Sequence, residues 1–293
     1  MLIDSHCHLH DREFFTAEQA EEMTARAHEA GIEKIICIGT NHEDSLAAQE
    51  FASSHQNVYW TYGIHPEYAS GAEVPSENIF SRNNFRFDRP KRIFLTDPTG
   101  SSRRDGSAGV PVYDVEDGIA GSEKDILDGN HIAPVAIGEV GLDYHYEGFD
   151  REAQIRLFER MLQLATDNDL PVSFHIREAF DDYFPVVENF PKLRGVVHSF
   201  TDNKKVLRRI LNETDFYVGV NGLATYSTLP TPPLERILLE TDAPFLTPNP
   251  FRGIINEPAY VRRVAEWLSR KLGQEYQTIE VETTKNARKL FGI

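Results

Sequence analysis

The chain has 293 residues, a formal net charge of -16 and 40% hydrophobic residues, the composition of a globular protein long enough for one large core. That charge repels polyanions, so affinity for nucleic acid or an anionic membrane would have to be local. Cys7 and Cys37 are the only cysteines, which excludes a disulfide framework and any site of three or four thiolates.

Both cysteines fall in apolar, strand-like runs and are expected to be buried, inert thiols. No run approaches the roughly 20 apolar residues of a membrane span. No basic and apolar leader precedes the histidines that begin at His6, so a cytoplasmic protein is expected.

The first strand is expected in MLIDSH, followed by the helix TAEQAEEMTARAHEAG with Thr16 as N-cap and Gly31 at its end. Further strands are expected at 33–40, 58–65, 134–141, 171–178, 194–200, 215–222 and 235–242, several of them near-continuous apolar runs, as parallel strands buried on both faces require. A helix over 150–169 opens at Asp150 and keeps an apolar face through Ile155, Phe158, Met161, Leu162 and Ala165. DNKKVLRRILNE, EPAYVRRVAEWLSRKLG and the closing TIEVETTKNARKLFG follow the same pattern.

Eight strands alternating with helices predict an α/β fold, a (β/α)8 TIM barrel running as a single unit over 1–293. A doubly wound open sheet is the alternative, weakened because no Gly-rich phosphate loop follows any strand. Two segments distort the rhythm. Residues 66–131 are too long for one crossover. They predict an insertion after strand 3, over 81–120, as a hairpin or loop in which KRIFLTD and VPVYDVED flank PTGSSRRDGSAG. Before strand 8, residues 223–234 contain Pro230, Pro232 and Pro233, so that connection is expected to lack its helix.

The titratable residues fall at or near one end of these strands. His6 and His8 are two apart, so on a strand both point to one face, about 6.6 Å apart along it, and Cys7 points to the other. Glu139 follows VAIG, His175 follows PVSF, His198 follows GVV and Asp242 follows RILLET. Those positions place them on the C-terminal rim of a barrel, where active sites form. A lone histidine there is usually a satisfied polar cap, and a lone glutamate usually a helix cap or surface charge. Four imidazoles and two carboxylates together are costly to bury without a metal. They suit one or two divalent ions such as zinc, manganese or iron, with magnesium still open. His10 keeps the parity of His8 but lies beyond the strand, outside the expected site.

The ordered motifs DSHCHLH, GIHP, AIGEVGLDYH, FHIREA, VHSFT, LLETDAPFLTP and FRGIINEPAYV resemble the TatD-type metal-dependent deoxyribonucleases of the amidohydrolase superfamily. The resemblance runs from the first residue to the last helix, apart from the insertion and the 223–234 connection. It implies two divalent ions (Zn, Mn or Mg), one on His6 and His8, the other on His175 and His198, with Glu139 bridging. Asp242 would bind the first ion and accept the proton of the attacking water, making Asp242 and Glu139 the catalytic pair. Three departures stand out: Glu67 where relatives often carry a histidine, HSFTD in place of HCFTG, and the missing helix. None removes a ligand.

The activity implied is hydrolysis of DNA phosphodiesters, exonuclease-like, on single strands or duplex ends, with no membrane and no stable protein partner. Ester, lactone or amide hydrolysis on the same two-metal barrel is the alternative, because a fold does not fix a substrate. Arg177, two after His175, is a candidate to grip phosphate, or else a structural ion pair. His65 orients substrate or fixes its turn. Tyr144 is a candidate to stack a base, as is Phe200 unless it packs in the core. Residues 82–104 hold seven basic residues (Arg82, Arg86, Arg89, Lys91, Arg92, Arg103, Arg104) against Asp88 and Asp97, a local charge of +5. With Phe80, Phe85, Phe87 and Phe94 interleaved, they are expected to form a nucleic-acid arm or a solvated loop.

Overall fold

A computed structural model describes residues 1–70 and 133–293. Strands and helices alternate as β1 (Leu2–Cys7), α1 (Ala17–Glu29), β2 (Ile32–Ile38), α2 (His42–Ser53), β3 (Val58–Tyr62), β4 (Ala136–Asp143), α3 (Arg151–Asp167), β5 (Val172–Arg177), α4 (Phe180–Glu188), β6 (Gly195–Val197), α5 (Lys204–Glu213), β7 (Tyr217–Val220), β8 (Ile237–Leu239), α6 (Val261–Leu272) and α7 (Tyr276–Phe291). All eight strands run parallel in chain order, each paired with the next. This is the expected TIM barrel. The 81–120 insertion and its basic residues lie outside the described residues.

The local signals act as physical chemistry requires. Thr16 accepts from Gln19 N while the Gln19 side chain accepts from Thr16 N, a reciprocal cap that starts α1. Asp150 caps α3, and α6 ends on Gly273 in the left-handed conformation. The 223–234 connection forms only two short 3-10 turns, Gly222–Thr225 and Leu234–Arg236. The sequence pattern does not single out α2 or α4. Helix α4 has no side-chain cap and carries Pro185 inside it. Tertiary packing holds it: Tyr183 meets Phe158 of α3 and Phe174 of β5 at ring-centroid distances of 6.2 and 5.5 Å.

The barrel closes by a seam rather than a full ladder. Strand β8 is short, and β1 meets the chain beyond it through His8 N to Ala243 O and Asp242 N to His6 O, both 2.8 Å. The fully buried Asp4 accepts from Thr241 N at 2.9 Å and Thr241 Oγ1 at 2.6 Å. Burial holds the Asp4 carboxyl well above the ordinary carboxylate range against these bonds. The seam sets Asp242 beside His6 and His8.

Candidate metal centre

Glu139 is the hub of the rim cluster. Its Oε1 lies 2.5 Å from His175 Nδ1 and 2.7 Å from His198 Nε2. Its Oε2 faces His6 Nε2 at 3.6 Å and His8 Nε2 at 3.9 Å. Asp242 Oδ1 lies 3.6 Å from His6 Nε2 and 3.5 Å from His8 Nε2. The six residues named from sequence therefore meet in one cluster with two halves that share one carboxylate. Glu139 belongs to the middle of β4 rather than its end. His8, His198 and Asp242 lie just past their strands.

Local conformation aims these groups. Ser199 and Asp242 have positive φ of 44° and 59°, a region that costs a non-glycine residue about 1–3 kcal/mol and gathers at functional sites. Gly141, with φ of 155°, lies between Glu139 and Asp143 on the same face of β4. A Cβ there would collide with the His175 backbone carbonyl, so its absence lets β5 approach.

The donor set fits a metal. His6 Nε2 is buried and has no hydrogen-bond partner, although it points at two carboxylates. Two triads, His6–His8–Glu139 and Glu139–His175–His198, each converge within 4.8 Å. Without a cation, protons supply the missing charge. Burial opposes the imidazolium of His8, but Asp242 and Glu139 outweigh it and raise its pKa to about 9. Burial likewise opposes charge on His175, which Glu139 and Asp143 raise to about 9. Burial and the neighbouring His198 push His6 down to about 4. Glu139 is itself buried, yet His198 and His175 hold it well below the carboxylate range.

Two carboxylates escaped the sequence reading. Asp143 accepts from His175 Nε2 at 3.0 Å, and it shares strand parity with Glu139, the signal that points to it. Glu240 is fully buried beside His198 and burial pushes it up to about 7; it shares parity with Asp242 but is hidden in an apolar run. Counting only Glu139 and Asp242 leaves an excess of positive charge once two divalent ions are present. With Asp143 and Glu240 added, four carboxylates bring the balance close to zero.

The substrate candidates separate. His65 caps the turn Pro66–Tyr68 through Nδ1, and its ring lies edge-on to His175 at 4.3 Å. Arg177 is opposite Asp143 in register and packs over the exposed Tyr146 at 5.3 Å, with no ion pair among the described residues. Tyr144 has the opposite strand parity to Glu139. Its hydroxyl donates to Asp182 at 2.8 Å and its ring stacks on Phe149 at 4.5 Å, so both faces of its chemistry are engaged away from the cluster. Phe200 is in the core. His10, outside the expected site, pairs with Asp44 at 2.9 Å. Cys7 and Cys37 are both fully buried.

A family model described as TatD related DNase matches residues 3–292. The chain belongs to the TatD family. Among its TatD relatives, the metal-dependent hydrolase YabD of Bacillus subtilis is 30% identical over 302 residues, covering 100% of both chains. The 3'-5' ssDNA/RNA exonuclease TatD of Pantoea ananatis is 30% identical over 292 residues, covering 94% of this chain and 95% of its own. The crystal structure of YJJV, a TatD homologue from Escherichia coli, superposes with a TM-score of 0.75 at 25% identity, covering 100% of this chain and 98% of that one. This TatD-family chain thus carries a hydrolase fold with His, Asp and Glu clusters able to bind metal. No helix among the described residues is long and apolar enough to cross a membrane.

Proposed function

We propose that the chain is a divalent-metal-dependent phosphodiesterase acting on DNA from an end. Single strands are its preferred form, because unpaired bases can reach the aromatic side chains at the rim. The observation that carries this is the shared carboxylate: Glu139 turns one oxygen to His6 and His8 and the other to His175 and His198. In this reading His6, His8, Glu139 and Asp242 hold one ion, and Glu139, His175 and His198 the other. Such ions supply positive charge to a phosphoryl oxygen and make water more acidic.

The chain's own residues do the rest. Asp242 takes a proton from water as the water oxygen bonds to phosphorus and the bond to the leaving oxygen breaks; solvent protonates that oxygen. Asp143 holds His175 by its Nε2, fixing which nitrogen faces Glu139. Arg177, opposite Asp143 in register, and His65, edge-on to His175, are the candidates to hold a second phosphate oxygen. Phe245, 46% exposed, packs against Phe14 at 5.2 Å and His8 at 6.4 Å, and it offers a face for a base. The relative named as a ssDNA/RNA exonuclease supports the same substrate class.

Chelation should abolish hydrolysis of oligonucleotides and divalent metal should restore it. Glu139→Ala and His175→Ala should lose metal and activity together. Full activity in both variants with metal content unchanged would refute the reading. Turnover of esters or lactams with no cleavage of oligonucleotides would move the substrate to the wider superfamily.

A further inference from the structure

Three of the four histidines around Glu139 have their second ring nitrogen engaged. His8 Nδ1 reaches Ile38 O at 3.1 Å, His6 Nδ1 reaches Ser173 Oγ at 3.4 Å, and His175 Nε2 reaches Asp143 at 3.0 Å. His198 breaks the pattern. Its Nε2 faces Glu139, and its Nδ1 is buried without a hydrogen-bond partner. Beside it stands Glu240, fully buried, whose Oε2 is likewise without a partner. His198 Nδ1 and Glu240 Oε1 are 3.9 Å apart.

The surroundings are built for that carboxylate. Ser199 N donates to Oε1 at 2.6 Å and Asn221 Nδ2 at 3.2 Å, while Asn221 also donates to Ser199 Oγ at 2.9 Å. A Cβ on Gly219 of the neighbouring strand would occupy the space of the carboxylate itself. Ser199 is the left-handed residue directly after His198, so Glu240 grips the backbone that aims the ring.

We infer that Glu240 is the positioning residue for His198: it accepts the proton of Nδ1–H, fixes the tautomer that leaves the Nε2 lone pair free, and so presents Nε2 to a divalent cation. Closing the 3.9 Å gap to Oε1 would give the buried Nδ1 the acceptor it lacks, a group costly while unpaired. Such partners tune a ligating histidine and are worth about 10- to 100-fold in metal affinity. The inference rests on the metal assignment above and is independent of the substrate.

The test reads proton position and metal binding. In zinc-loaded protein with 15N-labelled histidine, long-range proton–nitrogen correlation should find the His198 proton on Nδ1, the signal being assigned by its loss in His198→Gln. Competition with a chelator should show zinc binding about 10- to 100-fold weaker in Glu240→Leu. Glu240→Gln, whose carbonyl still accepts, should keep the tautomer and lose less. A His198 proton on Nε2, or none on either nitrogen, overturns the inference, as does zinc affinity equal to wild type in the leucine variant. Should that variant not fold, the wild-type and glutamine spectra decide. Zinc stoichiometry of zero in wild type would instead overturn the metal assignment and this inference with it.

Discussion

At the scale of single residues, the proposed metal centre would exchange protons for cations. His8 and His175 have pKa values near 9 without metal, because Asp242, Glu139 and Asp143 outweigh the cost of burial. Ligating histidines must be neutral, so cation binding has to displace these protons. Zinc affinity is therefore expected to rise as pH rises from about 6.5, the ordinary histidine value, towards 9. Calorimetric titration in buffers of different ionisation enthalpy should detect proton release, and a binding heat independent of buffer would contradict it. The metal-free protein should behave oppositely. Folded pKa values above the unfolded value stabilise fully below pH about 6.5 and lose that contribution as pH approaches 9. Thermal unfolding of chelated protein across this window checks the sign. At the mouth, Phe245→Ala should raise KM for single-stranded DNA roughly 5- to 150-fold, from the loss of about 1–3 kcal/mol of base stacking, with kcat changed little. An unchanged KM would remove Phe245 from the substrate path.

At the scale of elements, the site depends on where strands stop and how closely they approach. Gly141→Ala would force a Cβ onto the His175 carbonyl at a backbone angle that alanine rarely adopts. It should destabilise the protein by about 1–3 kcal/mol or more and weaken metal binding, since β4 carries Glu139 and Asp143 and β5 carries His175. Thermal melts with and without zinc measure both effects, and a melt and zinc affinity like wild type would show that β5 approaches for another reason. Strand parity explains what was legible in the sequence. It brought His6 and His8 to one face and, applied to β4, also finds Asp143 while turning Tyr144 away. Glu240 was missed because one acid inside RILLE reads as an interruption of an apolar strand, and its meaning depends on His198 and Asn221 from other strands. The missing crossover helix was legible because three prolines act locally. Helix α4 was not, because distant aromatic side chains hold it around Pro185.

At the scale of the whole molecule, a chain of net charge -16 gathers four of its carboxylates, Glu139, Asp143, Glu240 and Asp242, in and just beneath the mouth of its barrel. In the proposed reading such a mouth would repel a phosphodiester until cations neutralise it, so metal would be needed for substrate binding as well as for the chemical step. The seam between β1 and the segment after β8 makes that mouth, since Asp242 N and His6 O are hydrogen-bonded across it. The most direct measurement titrates chelated protein with a divalent metal, counting bound metal per chain while following hydrolysis of an end-labelled single-stranded DNA oligonucleotide. The account predicts no hydrolysis in the metal-free protein, with activity appearing as the cluster fills towards two ions per chain and His175→Ala remaining inactive. Undiminished hydrolysis by protein that holds no metal would contradict it.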